Sequence, residues 1–107
     1  MSFVVIQSRF SATAAGTDSG ATASRAADSA REFVVTNISG HTDADSIIQI
    51  TDGSTVLWES KIGVSAEGFS FCFDVGGVPV GKNKAATGIV ASSTADCQVN
   101  ISGYSVP

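Results

Sequence analysis

Charged residues are scarce in this 107-residue sequence, and cations are scarcer than anions. Asp, Glu, Lys and Arg make up 15% of the chain, whereas an average soluble domain has about 25%. The formal net charge is −4, and the six cations form no run: Arg9, Arg25, Arg31, Lys61, Lys82 and Lys84. Because nucleic-acid binding needs a basic patch, we expect no nucleic-acid partner. A surface this poor in charge instead loses little solvation when another protein covers it.

Long apolar runs are also absent. No stretch approaches the about 20 apolar residues that cross a bilayer. The first ten residues, MSFVVIQSRF, have no basic segment before their short apolar run, so they do not have the pattern of a signal peptide. We therefore expect no membrane partner, and a protein that is made in the cytoplasm.

Cysteine is limited to Cys72 and Cys97, which have no C-x-x-C motif and no neighbouring histidine. A protein made in a reducing cytoplasm keeps such residues as thiols. The first interpretation is that both are small, buried hydrophobic residues. A disulfide is the next interpretation, and a metal site is the last.

Helical periodicity is missing as well, because no stretch repeats apolar residues every 3.6 positions over ten or more residues. Short runs typical of strands occur instead, over residues 3–10, 31–39, 46–60, 69–75, 87–92 and 96–104. Seven or eight short strands predict an all-β fold, a single antiparallel β-sandwich of the jelly-roll or immunoglobulin-like kind. A chain of this length forms one domain, residues 1–107.

The two-residue period of a strand predicts which side chains share a face. In residues 31–39, it separates Phe33 and Val35 from Val34 and Ile38. In the aromatic strand, residues 69–75, the same period places Phe69, Phe71 and Phe73 on one face. In the last strand, residues 96–104, it places Cys97, Val99 and Ile101 on one face.

Residues 46–60, SIIQITDGSTVLWES, are typical of a β-hairpin that turns at Asp52-Gly53. A loop with an odd number of residues, 51–53, pairs Ile48 with Val56. Ile48, Ile50, Val56 and Trp58 then share one face, whereas an even loop mixes polar residues into it. We therefore predict the odd loop, with Trp58 buried in the core.

Low-complexity sequence occupies residues 11–24, where every residue except Asp18 is Ser, Ala, Thr or Gly. Such composition is typical of a flexible linker. We expect residues 11–30 to be a low-complexity arm that contacts other subunits, or else a long loop along its own domain.

Three groups of residues suggest chemistry, and none completes a motif. GGVPVGK, over residues 76–82, has the spacing of a phosphate-binding loop, but Asn83 replaces the Ser or Thr that contacts magnesium. Residues 41–45, HTDAD, lack the further ligand and the glycine of a calcium loop, and the one histidine has no nucleophile elbow near it. Trp58 and Tyr104 have rings that can stack on a sugar, although core packing is the first interpretation for Trp58. We therefore predict no catalytic, cofactor-binding or metal-binding residue, and a protein that is not an enzyme.

From residue 31 onward, the chain resembles small phage virion proteins. The matching pieces are VTNISG, IIQITDGSTVLWES, GFSFCFD and TGIVASSTADCQVNISGYSV. Their arrangement is similar to that of β-sandwich decoration, or cement, proteins of icosahedral capsids, and also to modules of phage tails and fibres.

The resemblance implies a non-catalytic structural protein on the outer surface of a virion capsid. Such a protein stabilises the capsid by bridging major capsid subunits, and its partners are the major capsid protein and copies of itself in a small homo-oligomer. The alternative is a tail fibre or baseplate module that binds a host receptor or glycan.

Overall fold

The computed structural model describes residues 8–17, 20–63, 68–73, 76–92 and 96–107. Within these ranges the chain is all-β, which confirms the predicted fold class. The strands, in chain order, are β1 (Ser8–Gly16), β2 (Ala21–Arg25), β3 (Glu32–Thr42), β4 (Ser46–Thr51), β5 (Val56–Ile62), β6 (Gly68–Cys72), β7 (Val78–Lys82), β8 (Ala86–Ala91) and β9 (Cys97–Val106). No helix in the described ranges is long and apolar enough to cross a membrane.

The strands form two antiparallel sheets. Sheet A has the order β1-β9-β3-β6, with β7 also paired to β3, and sheet B has the order β2-β8-β4-β5. β6 pairs with the second half of β3 and β7 with its first half, so the two are parts of one interrupted edge strand. Apart from the β4–β5 hairpin and this interruption, consecutive strands alternate between the sheets, which is the connectivity of a jelly roll. The sequence left the jelly-roll and immunoglobulin-like sandwiches open, and the strand order selects the first.

The core lies between the two sheets and is built from alternate residues of their inner faces. Cys97, Val99 and Ile101 of β9 are all buried, which confirms their predicted alternation. Their neighbours across the core include Ile48, Ile50, Ala86 and Val90 of sheet B.

The predicted faces of β3 are wrong in one respect. Ile38 is fully buried in the same core cluster as Phe33 and Val35, although the two-residue period separates it from them. The register of β3 against β9 shifts between Val35 and Asn37. A bulge at Thr36 therefore adds one residue and returns Ile38 to the core side.

Ile48, Ile50 and Trp58 face the core side of the hairpin as predicted, but Val56 does not, and the predicted pairing of the two strands is wrong. Ile50 pairs with Trp58, Ile48 pairs with Ser60, and Val56 is 48% exposed. The loop is longer than predicted because Asp52 folds it: one carboxylate oxygen accepts the backbone N–H groups of Ser54 and Thr55, at 3.0 and 2.7 Å. Trp58 is half-buried rather than buried, since β5 is the edge strand of sheet B.

The expectation of an arm or long loop over residues 11–30 is wrong for residues 11–16 and 21–25, which are strands, whereas residues 26–30 form the connection between β2 and β3. Residues up to Gly16 belong to β1, which pairs with β9 along its whole length. β2 pairs with β8. Small side chains fit here because Ala12, Ala14, Ala21 and Ala23 face the core where the two sheets approach closely. The linker-like composition therefore reflects a narrow edge of the sandwich. The predicted first strand, residues 3–10, lies mostly outside the described residues.

Candidate interaction surfaces

The sequence matching a phosphate-binding loop forms a strand instead. Val78–Lys82 is β7, and Lys82 pairs with Glu32 of β3. An extended strand points successive N–H groups to opposite sides, so it does not direct several of them at one phosphate as a glycine-rich loop at a helix N-terminus does. The pattern is a coincidence of spacing.

Residues 41–45 comprise the end of β3 and the turn that follows it, and polar groups hold this segment in place. Thr42 is buried, and its hydroxyl lies 2.9 Å from the Ser46 hydroxyl. One Asp43 carboxylate oxygen accepts the backbone N–H of Asp96 at 2.8 Å. These contacts connect the β3–β4 turn to the start of β9. Among the residues described, no three His, Cys, Asp or Glu side chains are grouped to hold a metal.

The two cysteines differ in environment, and both are free thiols. Cys97 is buried as predicted, and burial raises the pKa of its thiol. The prediction for Cys72 is wrong, because its side chain is exposed on the outer side of β6. There the Asn37 side-chain amide donates to its sulfur at 3.1 Å.

The outer surface of sheet B carries aliphatic side chains, and we call it the aliphatic face. Ile47 and Ile89 are half-exposed near its middle, on neighbouring strands. Val56 and Leu57 are 48% and 38% exposed at its edge, where a β-bulge interrupts the pairing with β4. The other members of this face are polar or small: Thr22, Ser24, Gln49, Thr51, Glu59, Lys61, Thr87 and Ala91.

Polar groups surround the aliphatic residues and are partly paired with each other. The Gln49 amide donates to the Glu59 carboxylate at 2.7 Å. At one end of the face, an open hollow is lined by Ile47, Lys61 and Ala91, together with residues of the adjoining turns. The face therefore carries two aliphatic pairs, Ile47 with Ile89 near its middle and Val56 with Leu57 at its edge, and Gln49 and Glu59 lie between them. Exposed apolar side chains rimmed by polar ones are a feature of protein interaction surfaces.

The outer surface of sheet A has a different chemistry, and we call it the polar face. Its cross-strand rows can be read from the register of β1, β9, β3 and β6. They are Ser11–Ser102–Asn37–Cys72, Thr13–Asn100–Ser39–Ser70 and Ala15–Gln98–His41–Gly68. Hydroxyl and amide groups dominate these rows, and the Thr13 hydroxyl donates to Asn100 at 2.7 Å.

Arg9 and Tyr104 are cross-strand partners at one end of the polar face. Val34 lies between Tyr104 and Pro79 in the register and is only 6% exposed, so its neighbours cover it. The Tyr104 hydroxyl lies 3.5 Å from the Gly76 carbonyl. Two adjoining hollows beside this ring share Arg9, Thr36 and Gly103. Phe10, Ser11 and Ser102 complete the lining of one, and Tyr104 completes that of the other. We call the two together the Tyr104 hollow.

Trp58 and Tyr104, the two rings considered for sugar stacking, occupy opposite environments. Trp58 makes edge-to-face contacts with Phe71 and Phe73, with ring centroids 4.9 and 5.1 Å apart. It belongs to an aromatic cluster that packs against the core. Tyr104 lies on the polar face beside a hollow.

No family model and no curated protein matches this chain. One similar solved structure comes from Bacillus endospore appendages, described as a novel family of disulfide-linked pili. Its TM-score is 0.46 and its sequence identity is 12%, over 95% of this chain and 87% of that chain. A similarity at this level supports no inference about what the present chain does.

Neither surface was identified from the sequence, although a signal existed for one of them. In SIIQIT, Ile47 and Ile48 are adjacent. Successive side chains of a strand point to opposite faces of the sheet, so one of the two isoleucines must point away from the core. The Tyr104 hollow left no comparable signal, because it depends on the bulge at Thr36. Only the register of β3 against β9 brings Thr36, Ser102 and Tyr104 together.

Proposed function

We propose that this chain is a non-catalytic structural protein that docks onto a protein shell through its aliphatic face. In the form suggested by its resemblance to phage virion proteins, it decorates the outer surface of a capsid and bridges major capsid subunits. The observation that carries the proposal is the aliphatic face itself. Ile47, Ile89, Val56 and Leu57 are at least partly exposed on the outside of a folded sandwich, where burial against a partner removes apolar surface from water.

The size of this face favours docking by more than one copy. Four strands about 4.8 Å apart and about six residues long cover about 400 Å². A stable interface buries about 800 Å² on each partner. One aliphatic face therefore supplies about half of a standard interface, and a small homo-oligomer that presents two or three such faces gains the remainder through avidity.

In the proposed mechanism, docking of this protein is thermodynamically linked to assembly of the shell. A protein that binds the assembled shell more tightly than free shell subunits stabilises the assembled state by mass action. This mechanism needs no cofactor and no catalytic residue, and it makes particle stability dependent on the concentration of the decorating protein.

The test compares two double variants that carry the same new charges on opposite faces. Ile47→Asp with Val56→Asp places two carboxylates in the aliphatic face, and Thr13→Asp with Ser70→Asp places two in the polar face. Each variant is mixed with undecorated particles, and its occupancy and the temperature of particle disruption are measured. We expect at least about tenfold weaker docking for the first variant, or about 1.4 kcal/mol, because burying an unpaired charge is costly.

The control variant should dock like the wild type, and circular dichroism should show that both variants are folded. Equal docking of both variants would remove the aliphatic face from the mechanism. Failure of the wild type to dock would favour the alternative function, a tail fibre or baseplate module that binds a host receptor or glycan. The Tyr104 hollow is the observation that favours this alternative.

A further inference from the structure

We propose that the Tyr104 hollow is a binding subsite for a saccharide that bears a carboxylate, such as a uronic acid residue of a polysaccharide. The proposal names a ligand class for the alternative function, but it does not rest on shell docking, because the hollow and the aliphatic face are on different sheets. Its residues come from three strands of sheet A: Arg9 and Ser11 from β1, Thr36 from β3, and Ser102 and Tyr104 from β9.

The hollow has a structural cause. Thr36 is the extra residue of the β3 bulge, and its hydroxyl donates to the Ser102 carbonyl at 3.4 Å. Opposite the bulge, Gly103 has no side chain, and a Cβ there would collide with the Val34 carbonyl and lie 3.1 Å from a Phe10 ring carbon. The bulge brings the Val34 carbonyl so close to β9 that only glycine fits at position 103, and it places Thr36 beside the hollow as a lining residue.

The groups around the hollow match the surface of a sugar ring. Tyr104 provides an aromatic surface on which the apolar C–H groups of a pyranose can pack. Ser11 and Ser102 carry hydroxyl groups that can donate to, or accept from, ring hydroxyls, and the Thr36 hydroxyl, which donates to the Ser102 carbonyl, can accept from one. Sites that combine an aromatic surface with a few convergent polar groups are typical of small-molecule binding.

Arg9 decides the charge of the ligand. It is exposed and is the cross-strand partner of Tyr104. The three cross-strand rows of the polar face described above hold no carboxylate side chain, and Glu32, in the row beyond Tyr104, is the cross-strand partner of Lys82. A guanidinium binds a carboxylate through two parallel hydrogen bonds. A uronic acid therefore fits better than a neutral sugar, and an amino sugar fits poorly.

The test is an amide NMR titration of the isolated wild-type protein with three probes: methyl β-glucuronide, methyl β-glucoside and acetate. We expect saturable shifts of the amides of Arg9, Thr36, Ser102 and their neighbours with the glucuronide, at a millimolar dissociation constant. The glucoside should shift the same amides more weakly, and acetate should not saturate. Equal binding of acetate and glucuronide would reduce the hollow to a carboxylate site and overturn the proposal, as would the absence of localised shifts with the glucuronide.

Three variants separate the contributions. Tyr104→Ala should weaken glucuronide binding at least about tenfold, or about 1.4 kcal/mol, while Tyr104→Phe keeps the ring and should bind like the wild type. Arg9→Gln should remove the preference for glucuronide over glucoside without unfolding the protein, since Arg9 is exposed. Lys61→Gln, which removes a cation from the other sheet, is the matched control and should change nothing. An equal loss in Arg9→Gln and Lys61→Gln would indicate nonspecific attraction and contradict the proposal.

Discussion

The two long edges of the sandwich are closed in opposite ways. At one edge, β1 and β2 bring Ala12, Ala14, Ala21 and Ala23 to the core, with one large side chain, Phe10, near the start of β1. Cα atoms of the two strands come within 8 Å of each other, closer than the about 10 Å between packed sheets. At the other edge, Trp58 of β5 meets Phe71 and Phe73. We call them the alanine edge and the aromatic edge. The comparison teaches that a sandwich edge is closed either by bringing the backbones together or by filling the gap with rings.

The aromatic edge should give the largest change in stability when it is broken. Trp58→Ala removes a large side chain that contacts two other rings, and we expect the free energy of unfolding to fall by about 3 kcal/mol, the low end for buried aromatic residues, because Trp58 is half-buried. Urea unfolding followed by circular dichroism measures the change.

The adjacent Leu57 provides the control for this prediction. It is 38% exposed, so Leu57→Ala should change stability by less than about 1 kcal/mol. Losses of equal size in the two variants would show that the aromatic contacts contribute little and that the edge is closed by its backbone pairing alone.

At the alanine edge, a larger side chain should destabilise the fold. Ala23 is 2% exposed, and Ala23→Leu adds carbon atoms where the sheets are closest, so we expect a loss of about 2 kcal/mol from overpacking. Thr22→Leu, one residue earlier and facing outward, should change stability by less than about 0.5 kcal/mol. Thermal unfolding of both variants checks the contrast, and an unchanged or raised Tm for Ala23→Leu would mean that the alanine edge has room to spare.

These edges also explain how far the sequence could predict the fold. The alternation of apolar and polar residues was sufficient to predict which side chains of β9 face the core, and that Ile48 and Ile50 of β4 do so, because one face of each strand is strongly apolar. It failed at residues 11–24, where the inward side chains are alanines whose apolar signal is weak. Those strands form because β9 and β8 provide their hydrogen-bonding partners, and pairing of this kind is a tertiary effect that a local pattern does not contain.

The candidate surfaces were harder to predict than the fold because they depend on two bulges. One additional residue at Thr36 and one at Leu57 change which side chains face outward, and neither residue type marks a bulge. The sequence therefore predicted the right class of sandwich, but it located neither surface.

The smallest expected effect concerns the hairpin that leads into the aromatic edge. Backbone N–H groups of Thr55 and Ser54 hold the pKa of Asp52 below its usual range. A carboxyl group whose pKa is lower in the folded state contributes stability above its unfolded pKa, about 3.9, and loses that contribution as the pH falls through the folded pKa. The hairpin should therefore weaken in acid.

The comparison of wild type with Asp52→Asn isolates this contribution, since asparagine accepts the same hydrogen bonds without titrating. We expect the wild type to lose more stability than the variant as the pH falls below about 4, in urea unfolding measured at successive pH values. Parallel curves would contradict a role of the Asp52 charge in the turn.

The interruption between β6 and β7 has a consequence for the behaviour of this protein at high concentration. An unbroken, flat edge strand is a template on which another chain can add a strand and start an aggregate. On this side of sheet A, an incoming strand finds two five-residue segments, and the register of β7 against β3 is shifted between Phe33 and Val34. No straight strand can satisfy both segments at once. The broken edge is therefore a poorer template for strand addition than β1, the continuous nine-residue strand at the opposite edge of sheet A.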